Sequence, residues 1–253
     1  MAKISPKLSI LLPVRNEGIN IEMMIKILTA VLDISHEILV IYDFAQDDTI
    51  LVIKRIQPKF RNVRLIQNKF EKGVPNAIKT GVSGAKGKYI LIFAVDDVGP
   101  ALAIEDMVKL LDQGCDFISC TRYAHGGRRL GGSIVEGALS RIANRLFNYL
   151  SGSAFTDSTT GFKMFKKSFF ENIEIESNPR GWAVVFELAV KAQEKRLKLG
   201  EVPIISIDRL YGGKSTFNLG PWLREYLRWF IWGVLHLKRR QKVKIRIPIS
   251  TAF

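Results

Sequence analysis

Apolar runs of strand length alternate with amphipathic stretches along most of this chain. Leu8–Pro13 reads as a first buried strand. The polar turn PVRNEGIN separates it from Ile21–Leu32, where Ile21, Met24, Ile25 and Leu28 recur at helical spacing. Glu37–Tyr42 is a second strand, Asp47, Asp48 and Thr49 open a helix to about Gln57 with acid at its positive end, and Asn62–Gln67 is a third strand. The loop Asn68–Pro75 leads to a helix at Asn76–Ser83, and Tyr89–Ala94 is a fourth strand. A helix from Pro100 to about Asp112, a strand at Asp116–Thr121, a basic glycine-rich loop at His125–Gly132 and a long helix at Ile134–Leu150 follow. Asp157–Gly161 precedes a short strand at Phe162–Phe165, Trp182–Lys195 is an amphipathic helix, Leu197–Ile207 contains another strand, and Asp208–Thr216 is a polar loop. This alternation predicts the α/β class, a mainly parallel sheet flanked by helices.

The fourth strand empties directly into Asp96 and Asp97, and the second ends at Asp43. Ligands of open parallel sheets collect outside the carboxyl ends of the strands. Adjacent carboxylates there suit a divalent cation carrying phosphates, and carboxylates at neighbouring strand ends can accept hydrogen bonds from ribose hydroxyls or base N–H groups.

The last helix, Pro221–Leu237, changes the picture. Its end, Trp229–Leu237, is an uncharged run of nine residues, and Lys238, Arg239, Arg240, Lys242, Lys244 and Arg246 follow. Nine residues are too few to span a bilayer, which takes about 20. Tryptophans beside a basic flank suit a helix lying in the headgroup layer, while a core helix with a solvated tail is the alternative. Across 253 residues the formal net charge is +14, which calls for an anionic partner: membrane, phosphorylated substrate or nucleic acid. Nucleic acid would explain the charge but not the acids at the strand ends. Cys115 and Cys120 lie in or beside one strand, without a CxxC pattern, and the N-terminus lacks the apolar core of a signal peptide; a reduced, cytoplasmic chain is expected.

The segments SILLPVRNEG, EILVIYDFAQDDT, AVDD, TRY, LSRIANRLFNYLSG, DSTTGFKMF, FELAVKA and EVPI with DRLYGGKS occur in an order that resembles the family-2 glycosyltransferases of the dolichol-phosphate mannosyltransferase type, over about Leu8–Ser215. The resemblance implies a GT-A fold, a GDP- or UDP-linked sugar donor, inversion at the anomeric carbon and a polyprenyl phosphate acceptor. It places Pro13, Glu17 and Asp43 at the nucleotide, Asp96 in the DxD metal motif for Mn2+ or Mg2+, Arg122 and Ser140 at the acceptor phosphate, and Arg209, Lys214 and Ser215 in a loop closing over the diphosphate. Asp97 is a second candidate ligand, and Arg141 a further acceptor-side cation. The chain departs from the pattern at four places. The first acid of the metal motif is Ala94, the downstream Gln-His positions are Val98 and Gly99, the DDGS turn is Tyr42-Asp43-Phe44-Ala45, and Glu136 stands where relatives carry an arginine that Arg128, Arg129 or Arg141 could replace.

The expectation is therefore a glycosyltransferase domain at residues 1–218 and an amphipathic helix with a basic tail at 219–253. The protein would act as a peripheral membrane enzyme, held by an anionic membrane surface or by a separate anchoring subunit. Two rivals remain open: a decayed site that binds nucleotide sugar or membrane to regulate a partner, and transfer to a glycan.

Overall fold

The computed structural model describes residues 5–179, 181–207, 219–237 and 241–247. The first half alternates β1 (Leu8–Val14), α1 (Gly18–Val31), β2 (His36–Tyr42), α2 (Thr49–Ile56), β3 (Val63–Gln67), α3 (Val74–Gly84), β4 (Tyr89–Ile92) and α4 (Ile104–Asp112). The second half runs β5 (Phe117–Thr121), β6 (Arg128–Leu130), α5 (Ile134–Ser151), β7 (Lys163–Lys166), α6 (Lys167–Glu171), α7 (Ala183–Glu194), β8 (Leu199–Pro203), β9 (Ile205–Ile207), α8 (Leu219–His236) and β10 (Val243–Ile245).

Eight strands form one sheet in the order β10-β8-β5-β7-β4-β1-β2-β3, parallel except for β7, which runs antiparallel between β4 and β5. Strands β4 and β5 are buried along their whole length, as inner strands of a doubly covered sheet are. One apolar layer packs α1, α2 and α4 on one face, through Met24, Ile25, Ile53 and Met107. The opposite layer packs α3, α6 and α7, through Ile78, Phe169, Val185 and Leu188. A third cluster joins α5, α7 and α8 around Phe147, Phe186 and Trp229.

Several boundaries differ from the sequence reading for local reasons. Strand β4 ends at Ile92, Phe93 adds one more ladder bond to the Leu11 carbonyl (3.0 Å), and the acids therefore sit on a turn. The stretch Leu197–Ile207 divides at Ile204: β8 ends at Pro203 and stays in the main sheet, and β9 leaves it. Strand β9 pairs in parallel with β6, a strand inside the basic loop. The described part of the basic C-terminal segment returns to the sheet, where β10 pairs with β8 and Arg246 donates to Asp106.

Candidate active site at the carboxyl ends of the sheet

The carboxyl ends of β1, β2 and β4 open into a cleft of about 1350 Å³. Pro13 and Glu17 line it after β1, Asp43 and Phe44 after β2, and Ala94 and Asp96 after β4. Its loops are fastened by carboxylates. Asp47, 2% exposed, accepts from the Asn16 amide at 3.1 Å and the Thr49 amide at 2.9 Å, and Asp48 accepts from the Gly18 amide at 2.9 Å. These two acids thus bind the β1–α1 loop to the start of α2. Asp43 accepts from the Asn68 side-chain amide at 2.8 Å and from the Gly73 amide at 3.0 Å, tying the loop after β3 to the end of β2. Gly73 has φ +132°, and a Cβ there would lie 1.9 Å from the Pro179 carbonyl oxygen; only glycine lets these two walls of the cleft meet. The Lys72 ammonium lies 5.7 Å from the centre of the Phe44 ring.

The two adjacent acids have different surroundings. Asp96 is half-buried and lines the cleft, whereas Asp97 is 5% exposed and accepts from the Ser206 hydroxyl and from the Ile207 amide at 2.8 Å, anchoring β9. Among the described residues, no three His, Cys, Asp or Glu side chains come together to hold a metal ion. One carboxylate on a cleft wall nevertheless fits a hard cation that takes most of its ligands from diphosphate oxygens and water. Asp96 could hold such a cation with the nucleotide; Ala94 and Val98 offer it nothing.

On the far side of β4, Arg122 follows β5 and forms a two-pronged pair with Asp157: Nε to Oδ2 at 2.7 Å and Nη2 to Oδ1 at 3.1 Å. Burial acts to raise the Asp157 carboxyl, and the charge and hydrogen bonds of Arg122 outweigh it, holding the group below the usual carboxylate range. Arg122 also donates to Thr159, whose hydroxyl accepts from Asn144 on α5. The neighbouring Tyr123 donates to Ser140 on α5 at 2.9 Å, so both acceptor-side residues suggested by the sequence meet one cluster. Arg141 is exposed on α5, and Arg129 lies along the same helix, with Nη1 3.3 Å from where a Cβ on Gly137 would sit. Beneath Arg122, Lys163 is fully buried and donates to Ser119, its pKa pushed down to about 8 by burial against the pull of Asp157. Glu201, also buried, accepts from the Thr156 amide and hydroxyl, and burial pushes it up to about 7.

Arg209, Lys214 and Ser215 lie outside the described residues. The motif pattern did not disclose the wall at Asn178–Trp182, which hangs between two helices. The amides of Glu176 and Ser177 donate to the Glu187 carboxylate of α7, while Asn178 donates to Glu225 and Ser177 accepts from the Trp229 indole, both on α8. The Gly-Trp pair before the α7 periodicity was its only sequence signal.

With this geometry in hand, comparison with known proteins is direct. Residues 9–174 match Glycosyl transferase family 2, and the chain belongs to that family; it is a glycosyltransferase. A dolichol-phosphate mannosyltransferase of Mycosarcoma maydis is 22% identical over 88% of this chain and 78% of its own. The Saccharomyces cerevisiae dolichol-phosphate mannosyltransferase is 25% identical over 79% of this chain and 77% of its own. A dolichyl-phosphate beta-glucosyltransferase of Dictyostelium discoideum is 26% identical over 78% and 65%. Among solved structures, glucosyl-3-phosphoglycerate synthase from Mycobacterium tuberculosis, crystallised with Mn2+, UDP and glucosyl-3-phosphoglycerate, superimposes with a TM-score of 0.69. It has 16% identity and covers 100% of this chain and 94% of its own, a likeness of GT-A fold.

Proposed function

We propose that this enzyme transfers a hexose from a GDP- or UDP-linked donor to a polyprenyl phosphate while resting on an anionic, cytoplasmic membrane face. One observation carries the reading: the Arg122–Asp157 cluster is tied through Tyr123–Ser140 and Thr159–Asn144 to α5, a helix with an exposed apolar flank. Val135, Leu139, Ile142 and Leu146 on α5 are all about half exposed or more, as are Leu223, Leu227, Ile231 and Leu235 at four-residue intervals on α8. The two helices are locked together where the Phe147 ring meets Phe230 at 5.3 Å between centroids. No helix among the described residues is long and apolar enough to cross a membrane. Two aliphatic rows with Arg141, Arg145 and the basic C-terminal segment nearby suit lipid tails below anionic headgroups.

In this reading Pro13, Glu17 and Asp43 hold the nucleoside, and Asp96 meets the diphosphate. A Mg2+ or Mn2+ bound with the nucleotide would neutralise the leaving diphosphate. Arg122 and Ser140, with Arg141 or Arg129, hold the acceptor phosphate, and Arg209, Lys214 and Ser215 close over the donor. An acceptor phosphate oxygen attacks the anomeric carbon from the face opposite the diphosphate. The new C–O bond forms as the old one breaks, the electron pair leaves with the nucleoside diphosphate, and the configuration inverts. The acceptor oxygen is already anionic, so no side chain needs to remove a proton, and catalysis reduces to alignment and charge neutralisation. Asp97, bonded to β9, acts in this scheme by fixing the floor of the site.

The test is transfer of labelled hexose from UDP- and GDP-sugars to extractable polyprenyl phosphate, with Mn2+ binding followed in parallel. Lipid-linked product, together with Mn2+ affinity that rises at least about tenfold when nucleoside diphosphate is present and is lost in Asp96→Ala, is expected. Nucleotide binding without product from any donor would favour the decayed-site rival, and product on a glycan acceptor alone would replace the lipid.

A further inference from the structure

The cleft that Asp43 and Asp96 line also carries two tryptophans. Trp182 lines the cleft, and its ring carbons lie 3.8 Å from where a Cβ on Gly161 would sit. Gly161 closes the segment that carries Asp157 and Thr159, both bonded to Arg122. Trp182 therefore touches both the cleft and the segment that carries Asp157 and Thr159. Trp222, from α8, lines the same cleft. Its indole lies on Gly181, where φ is +87° and a Cβ would fall 2.8 Å from ring atom Cδ2, so a side chain at 181 would evict it. One turn further along α8, Tyr226 is close enough to Arg122 and Asp157 to feel both charges. A turn rises about 5.4 Å, roughly the breadth of a pyranose ring.

A hexopyranose has hydroxyls around its edge and C–H groups on its faces, and a flat indole offers an apolar surface that matches such a face with little conformational freedom to lose. Resting on the glycosyltransferase reading of the site, we propose that Trp182 and Trp222 form the platform that seats the hexose of the donor, C–H face against indole, between Asp96 and Arg122. The platform reads the sugar and not the nucleotide. It holds the ring flat while the anomeric carbon faces the acceptor phosphate.

The proposal separates two ligands of one cleft. Calorimetric titration of the whole protein with UDP, GDP, UDP-glucose and GDP-mannose is compared for the wild type and for Trp182→Ala, Trp222→Ala, Trp182→Phe and Trp222→Phe. In each alanine variant the preferred sugar nucleotide should weaken about tenfold while its free diphosphate changes less than about twofold, and each phenylalanine variant should recover most of the loss. Equal weakening of both ligands, or of neither, overturns the platform and leaves the tryptophans as wall packing. Should Trp182→Ala fail to fold, Trp222→Ala and the phenylalanine variants decide the matter by the same comparison. A wild type that binds none of the four overturns the proposed GDP- or UDP-linked donor, a result distinct from loss of the platform alone.

Discussion

At the proposed nucleotide end of the cleft, carboxylates engage backbone N–H groups: Asp43 holds the Gly73 amide, Asp47 those of Asn16 and Thr49, and Asp48 that of Gly18. Across β4 the buried acid Asp157 engages a guanidinium as well as the Arg122 and Thr159 amides, and the surface beyond it is two rows of exposed aliphatic side chains on α5 and α8. The first region is rigid because its loops are sewn to one another. The second gathers Arg122, Asp157, Lys163 and Glu201 into one inner cluster and presents beyond it an unspecific apolar face. A soluble, many-featured nucleotide needs fixed hydrogen-bond partners around it. A polyprenyl chain needs none, because the bilayer already holds its tail, and only its phosphate must be located. The contrast between the two regions is thus the contrast between the two proposed substrates.

Arg122 tests that division with the largest effect. Arg122→Ala leaves the fully buried Asp157 without its partner, and loss of a buried partner costs about 3–5 kcal/mol, visible as a lowered melting temperature. Arg122→Lys retains the charge but not the planar fork, and should keep most of the stability while lowering kcat on the order of 100-fold with donor KM unchanged. A lysine variant whose donor affinity falls as far as its rate would erase the boundary between the regions.

Much of the nucleotide region was legible in the sequence because buried parallel strands are continuous apolar runs, and Leu8–Pro13, Glu37–Tyr42 and Tyr89 onward have that form. The contrast between Asp96 and Asp97 was not legible. Adjacent acids on a turn point apart, and which one meets β9 depends on a strand more than 100 residues away in sequence. The β6–β9 ribbon was illegible because three-residue strands show no period, and β10 because its Lys244 reads as part of a charge run. The long helix α5 was expected, but its exposed apolar flank could be read only once Phe147 was seen turned inward on Phe230. Trp222 over Gly181 joins segments that no motif connects.

The apolar rows give the next effect. Leu227→Glu with Ile231→Glu puts two charges on the outer face of α8, away from Trp229 and the inner packing. Binding to vesicles rich in anionic lipid should fall about 100-fold, each aliphatic side chain contributing roughly 1.4 kcal/mol of lost burial, with nucleotide affinity unchanged in calorimetry. Unaltered vesicle binding would return α8 to the status of an ordinary surface helix and remove the membrane from the comparison.

The smallest effect separates the regions by pH. Glu201 lies beside the proposed acceptor cluster, with Thr156, Lys163, Asp157 and the His125 ring around it, and burial raises its folded pKa to about 7 from the ordinary carboxyl value near 4.5. A raised carboxyl pKa means that the folded state holds the proton longer. The stability this group contributes is complete below about pH 4.5 and is lost as pH rises through 7. Lys163, with a folded pKa of about 8, remains charged over most of that window and does not mask the change. In a His125→Gln background, which removes the neighbouring ring, the melting temperature of the Glu201-bearing protein should therefore drop relative to Glu201→Gln between pH 4.5 and 7. The expected size is about 1–2 kcal/mol, or a few degrees for a chain of this length. Nucleotide affinity should follow the same course in both proteins across that range, because Glu201 belongs to the acceptor side; a donor affinity that tracks Glu201 ionisation would show that the two regions share one electrostatic floor.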